Sequence, residues 1–374
     1  MQKKLMVLAV AAAVSGAAAA QSNVQIYGVV DVGFSHRGDN VDDDIGSKNA
    51  IDDGISSGSR LGFKGSEDLG NGLTALFVLE NGFATDNGNL RQSSRLFGRQ
   101  AYLGLTGNFG TALAGRLYTP HYSFLSAIDP FKAGTVGRYR NVFEAGVTTG
   151  GENLFDPTRV DNAVAYVTPT WGGFNITAAF SANALAQEAS GNTGDNRVWA
   201  ILPRYANGPI DVGVSWHRIK AYDAPTGSFG ASNVQITNLA VGGTYNFGPV
   251  KLHAFYDQNK FKDINAAGED HKLKSWLLGA TFPFGKNAIQ ASYTQSKLSG
   301  FTGREGKARQ WALGYTYALS KRTSFYAAIA DIANKDDRED NVTILSNIAA
   351  VSGDSSNNGQ GYQNGFNVGL KHSF

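Results

Sequence analysis

Residues 365–374 read GFNVGLKHSF, and the chain stops on Phe374. Taken two at a time, Phe366, Val368, Leu370, His372 and Phe374 fall on one face and Asn367, Gly369, Lys371 and Ser373 on the other. A period of two is that of a β-strand, whose successive side chains point to opposite sides. A chain end normally frays in water. A strand with one apolar face and an aromatic last residue needs an apolar surface to lie against, which is either a protein core or a lipid bilayer.

The pattern recurs upstream. Val24, Ile26, Val30, Val32 and Phe34 alternate with Gln25, Tyr27, Asp31 and Ser35, and the same alternation runs through Ile210–Trp216, Val250–Tyr256, Ile289–Tyr293 and Trp311–Tyr317. Short turn-like connections (68–72, 107–110, 169–173, 206–209, 246–249, 284–287 and 319–322) alternate with long ones (38–56, 84–95, 118–158, 184–195, 222–231, 261–270, 299–306 and 333–361). Seven turns and eight long loops join sixteen strands. An even number of strands with turns at one end and long loops at the other predicts an all-β, sixteen-stranded antiparallel transmembrane β-barrel. Closure pairs every backbone group in lipid. A soluble sandwich or propeller could alternate too, but it explains neither the sustained short/long rhythm nor the aromatics at strand ends, such as Phe282, Phe284, Tyr315 and Tyr317. In the barrel reading the closing strand pairs with the strand that starts near Asn23, and the Phe374 ring faces lipid or its interface.

Composition agrees. Residues 1–20 carry Lys3 and Lys4, an apolar stretch from Leu5 to Val14 and a small-residue end, the layout of a cleaved export signal. The barrel domain is then 21–374. No later stretch reaches the ~20 apolar residues of a spanning helix. There is no cysteine, so no disulfide scaffold is expected in the exported chain. Lys+Arg 33 against Asp+Glu 31 leaves no long-range field that would select nucleic acid. Forty-six glycines suit tight turns, and nine prolines are few enough for long strands.

QIYGVVDVGF, SRLGFKGSEDLGNGLTALFVLENGF, FGRQAYLGLTGNFGTALAGRLYTP and the strand ending in Phe374 together resemble the general diffusion porins of Gram-negative outer membranes, most nearly the β-proteobacterial type. The resemblance covers the mature chain and is most specific in the first 120 residues. It implies an outer-membrane, multi-pass homotrimer that passes small ions and solutes, with Phe374 part of the signal read by the assembly machinery. It also implies that the third loop, here the 41 residues from Tyr118 to Thr158, folds into the lumen. A loop of that length without obvious secondary structure is itself suspect unless it is functional.

By local motif, the resemblance places a ladder of arginines on the wall opposite that loop: Arg60 in SRLGFKG, Arg99 in FGRQAYLGL and Arg159 in TRVDNAVAY. Alternation with Leu61 and Phe63 turns Arg60, Gly62 and Lys64 inward. Asp129 and Glu144 on the loop are expected to face this wall. Loop bases Lys132, Arg138 and Arg140, loop acids Asp129, Glu144, Glu152 and Asp156, and the three arginines sum to +2, which predicts a weak preference for anions.

Other motifs carry less. Asp42–Asp44, Asp52–Asp53 and the acids at 336–340 could share a divalent cation with lipopolysaccharide, but solvated acidic loops account for them. GREGK at 303–307 lacks the spacing of a phosphate loop, and no metal site is expected. The six histidines sit in no nucleophile or zinc motif, and His253, on the lumen face with Lys251 and Asp257, reads as a solvated wall residue. The expectation is a non-enzymatic channel without cofactor. The alternatives are a porin specific for small organic or phosphate anions and an adhesin or receptor barrel that only displays loops.

Overall fold

The computed structural model describes residues 23–40, 47–143, 157–184, 196–222, 233–262, 270–301, 304–336 and 362–374. The export signal, Asp42–Asp44, Glu144, Glu152, Asp156, Asp337, Glu339 and Asp340 lie outside the described residues.

The chain builds β1 (Asn23–Asn40), β2 (Lys48–Asp53), β3 (Arg60–Gly70), β4 (Leu73–Gly82), β5 (Gln100–Gly107) and β6 (Gly110–Tyr118). Two helices follow, α1 (Pro120–Ile128) and α2 (Arg140–Phe143). Next come β7 (Arg159–Val167), β8 (Phe174–Ser181), β9 (Arg197–Asn207), β10 (Ile210–Tyr222), β11 (Asn233–Asn246) and β12 (Lys251–Lys262). The last are β13 (His271–Phe284), β14 (Asn287–Phe301), β15 (Arg304–Ala318), β16 (Thr323–Asp336) and β17 (Tyr362–Ser373). Each of β3–β17 pairs antiparallel with the next, β1 pairs with β3 over Asn23–Val29, and β1 closes on β17 from Val29 to Asn40. The barrel is thus sixteen strands. The seventeenth, β2, forms inside the first long connection and pairs with β1 over Val32–Arg37.

All seven expected turns are present. The β3–β4 turn shows why its sequence suits it: Asn71 and Gly72 adopt φ of 52° and 75°, the left-handed pair that matches strand twist. Two expected loops are shorter than the sequence suggested. β1 and β2 occupy much of 38–56, and β14 and β15 leave only residues 302–303 between them.

The outward face is apolar and exposed (Leu103, Leu278, Val241 and Trp311 among others), whereas Asp31, Ser215, Asn238, Ser275 and Gln310 point inward and are buried. This inverts a soluble fold, as expected where lipid is the outer solvent. Phe374 exchanges backbone hydrogen bonds with Gly28 (N to O 3.1 and 3.0 Å) and lays its ring over that glycine, where a Cβ would stand 2.3 Å from the ring.

The described part of the third long connection, residues 119–143, lies against the inward side chains of the far wall. Its neck is pinched by Thr119 N to Thr158 O (3.1 Å) and Thr119 Oγ1 to Pro157 O (2.8 Å). Thr119 then caps α1, accepting from Tyr122 N at 3.2 Å, with Pro120 in the first turn. His121, Phe124, Leu125 and Ile128 form the buried stripe of α1 at helical spacing. Phe124, Leu125 and Ile128 pack on Leu202, Ala240, Phe255 and Leu277 of the inner face of β9, β11, β12 and β13, where Val198, Ile236, Phe261 and Leu273 belong to a second buried apolar cluster.

Candidate functional site

On the near wall the strand starts bring a file of charged and aromatic groups together. Glu80, inward on β4, accepts from Arg99 Nε (2.8 Å) and from the Tyr27 hydroxyl (2.9 Å), and lies 3.9 Å from Arg60 Nε. Arg99 and Arg159 both donate to the Tyr118 hydroxyl, at 2.8 and 2.7 Å. The Arg159 guanidinium also sits 4.4 Å from the Tyr118 ring centre, and Tyr118 stacks on Tyr122 at 5.5 Å. Arg140 of α2 lies 5.2 Å over the Tyr122 ring, and Lys64 lies 5.3 Å over Tyr27. Aromatic faces attract such cations, so the rings hold the long side chains in place.

The three expected arginines therefore share one network. Arg99 sits immediately before β5, which is why its surroundings alternate poorly in sequence. The sequence reading leaves out two members: Glu80, which follows the apolar LFVL and precedes Asn81 in LFVLENGF, and Tyr118, in RLYTP. An acid directly after an apolar run was the available signal for Glu80. Among the described residues, Arg60 and Arg99 approach the carboxylate of Glu80, while Lys64, Arg140 and Arg159 sit over the rings of Tyr27, Tyr122 and Tyr118. The fixed charge of this file is positive.

Asp129 is placed differently from the expectation. It does not face the arginines but turns into its own loop, accepting from Phe131 N (3.1 Å), Ala133 N (2.9 Å) and Tyr139 N (3.3 Å), and only 1% of it is exposed. Burial raises its pKa to about 6 against the pull of those three amides. It fixes the loop's shape and offers no water-facing charge. Glu144, the other expected loop acid, lies outside the described residues. Arg138 donates from Nε to Asn141 Oδ1 at 2.9 Å within the loop.

The loop is seated by specific contacts. Gln310 of β15 accepts from Asn141 Nδ2 (2.9 Å) and donates to the carbonyls of Gly137 (3.0 Å) and Arg138 (3.2 Å). His253 is no solvated wall residue: its Nδ1 meets the Ile128 carbonyl at 2.6 Å and its Nε2 meets Thr281 Oγ1 at 3.0 Å. His121 is buried against His217 and Ser215, with Nε2 3.7 Å from Asp257. Desolvation, helped by Arg140, pushes its pKa down to about 3, so it is neutral at ordinary pH and the Asp257 contact is not an ion pair there.

The first loop joins this structure. Inward Asp31 accepts from Ser56 N (3.0 Å) and Ser57 N (2.7 Å), which brings Ile55 O to 2.5 Å from Thr135 N of the third loop. Asp52 pairs with Arg37 and Asp53 with Arg91, so these two acids are engaged internally. Among the described residues no group of histidines and acids is arranged to hold a metal.

A family model described as Gram-negative porin matches residues 7–337. Outer membrane porin protein 32 of Delftia acidovorans is 34% identical over 377 residues, covering 100% of both chains. Among solved structures, an anion-selective porin from Comamonas acidovorans superposes with a TM-score of 0.78 at 29% identity, over 95% of this chain and 100% of that one. OmpT of Vibrio cholerae in a trimer form shares the fold at 17% identity, TM-score 0.67, over 94% and 99%. A closed barrel with an apolar exterior, matched along its length to outer-membrane channels, leaves one conclusion: this chain belongs to the Gram-negative porin family and forms a passive channel in the outer membrane.

Proposed function

We propose that this porin favours anions and that residues 119–143 narrow its lumen against the arginine file. The carrying observation is that file: five cations held among the described residues by Tyr27, Tyr118, Tyr122 and the Glu80 carboxylate, with the described loop acid, Asp129, turned away. Fixed rings of one sign favour the opposite ion in a pore. The anion-selective porin from Comamonas acidovorans, similar over nearly the whole chain, supports the sign.

The same reading takes the protein as a homotrimer, supported by the trimeric relative, with residues 1–20 as export signal and Phe374 as part of the assembly signal. Lipid, lipopolysaccharide and the assembly machinery are then its partners. A porin specific for small organic or phosphate anions is the second reading, favoured by two guanidiniums held side by side on Tyr118. Conductance that saturates or blocks at low phosphate would select it. The main test is replacement of Arg60, Arg99 and Arg159 by glutamine: the anion-to-cation permeability ratio should fall, and reversal potentials unchanged in a salt gradient would refute the assignment.

A further inference from the structure

Beside the cation file the near wall of the lumen does not stay polar. Glu80 faces inward on β4, so Val78 and Leu76, nearer the β3–β4 turn, share its face. Register carries an apolar surface across the neighbouring strands: Val78 lies opposite Tyr102, Leu76 opposite Gly104, Gly104 opposite Leu113, and Leu113 opposite Ala165. The two leucines meet over Gly104, where a Cβ would stand 2.5 Å from Leu113 Cδ2 and 3.2 Å from Leu76 Cδ1.

This patch has defined edges. Glu80 and Arg60 stand on its long-loop side, and Lys64, exposed to the lumen, lies directly opposite Val78. On the turn side stand Thr74, Thr106 and Thr111, with the Thr106 and Thr111 hydroxyls 2.8 Å apart. Asp68, at that rim, accepts from Gly70 N at 2.9 Å.

Apolar inward residues on the far wall are accounted for by what covers them. Leu202, Phe255 and Leu277 are buried in one cluster with α1, which packs on β8–β12, while α2 packs on β14 and β15. Leu76, Val78, Tyr102 and Leu113 are only half-buried. Tyr102 and Leu113 rest on the buried cluster around Leu117 and Val160, which holds them in place. Their remaining surface faces the water of the lumen, and an apolar solute lying on it would release that water.

We propose that this patch and the cations beside it select anions with an apolar body, namely hydrophobic monocarboxylates, over hydrophilic anions of the same size and charge. The carboxylate would follow Arg60 and Lys64 while the hydrocarbon part slides over Val78, Tyr102, Leu76 and Leu113. Charge of one sign next to an apolar strip fits a solute that is anionic at one end and apolar at the other. Covering ~30 Å² of the strip favours the apolar body about threefold. This selection rests on the anion-favouring channel proposed above and adds the solute class.

The test uses the full chain in planar bilayers at mildly alkaline pH, with potassium cyclohexanecarboxylate on one side and potassium quinate, its tetrahydroxylated counterpart, on the other. The zero-current potential gives the permeability ratio of the two anions within the same channels. The wild type should favour cyclohexanecarboxylate about threefold beyond the mobility ratio of the two ions in water. In the variant L76S/V78S/L113S the ratio should fall to that mobility ratio. Should the variant fail to assemble, the wild type decides: butanoate, pentanoate and hexanoate should block the chloride current at half-blocking concentrations that fall about twofold for each half-covered methylene. A flat series overturns the proposal. A wild-type permeability at the mobility ratio, or a preference untouched in the variant, overturns it as well. The zero-current potential in a potassium chloride gradient separates the two readings: an anion-selective sign without apolar preference sinks only the solute class, whereas a cation-selective sign sinks the anion-favouring channel itself.

Discussion

Single side chains decide the sign of the pore. Glu80 cancels part of the positive file while orienting Arg99 and Tyr27, so Glu80→Gln adds one net positive charge without changing shape. An anion passing about 6 Å away in water gains roughly 0.7 kcal/mol from that charge and a cation loses as much, about threefold in the permeability of each. The reversal potential in a salt gradient should move toward the anion limit; movement toward the cation limit would show that Glu80 acts mainly by holding the arginines in place. Two buried loop groups set the response to acid. His121, ordinarily 6.5 and held at about 3, contributes stability above pH 6.5 that is lost as pH falls toward 3. Asp129, ordinarily 3.8 and raised to about 6, contributes stability below pH 3.8 that is lost as pH rises through 6. Between those limits the two oppose each other. Loop docking should therefore hold from neutral pH to about 4 and loosen below it, seen as conductance noise, and His121→Asn should suppress the acid noise.

At the scale of elements, the third loop is held more by its seats than by its own helices. Gln310→Ala would leave the Gly137 carbonyl without the Gln310 bond, at about 1–3 kcal/mol for a buried group left unpaired, and would take one bond each from the Asn141 amide, which keeps Val136 O, and from the Arg138 carbonyl, which keeps Asn141 N. Gly279→Val would press on Pro130, whose Cγ lies 2.5 Å from where a Cβ would stand. Both variants should give channels of larger or fluctuating conductance with an unchanged barrel; a steady wild-type conductance would show that 119–143 does not set the constriction. The strands and turns were legible because period-two alternation and glycine turns are local signals, which is why Phe374 and the seven turns fall where the sequence puts them. The docking of the loop was not. Phe255 and Leu277 break the polar inner face, yet without knowing what covers them they read only as noise in the alternation. Asp129 was misread for a related reason: its partners are amides of its own loop, invisible to a charge count.

For the whole molecule, closure is the main source of stability, since a barrel has no free edge. The last link includes the two backbone bonds between Gly28 and Phe374. Deleting Phe374 removes about 0.5–1.5 kcal/mol for each of them, together with the burial of the ring over Gly28. Less heat-resistant barrel should result, measurable as a lower temperature for loss of the compact gel form; an unaltered temperature would show that the seam is closed by the upper registers alone. The central claim joins all three scales: a sixteen-stranded channel whose selectivity comes from one positive file, with the one described loop acid, Asp129, turned into its own loop. Its most direct measurement is the zero-current potential of the purified protein in a planar bilayer under a tenfold potassium chloride gradient. The account predicts the anion-selective sign, reduced toward zero when Arg60, Arg99 and Arg159 are replaced by glutamine. A cation-selective sign in the wild type, or the same potential in the triple variant, would contradict it.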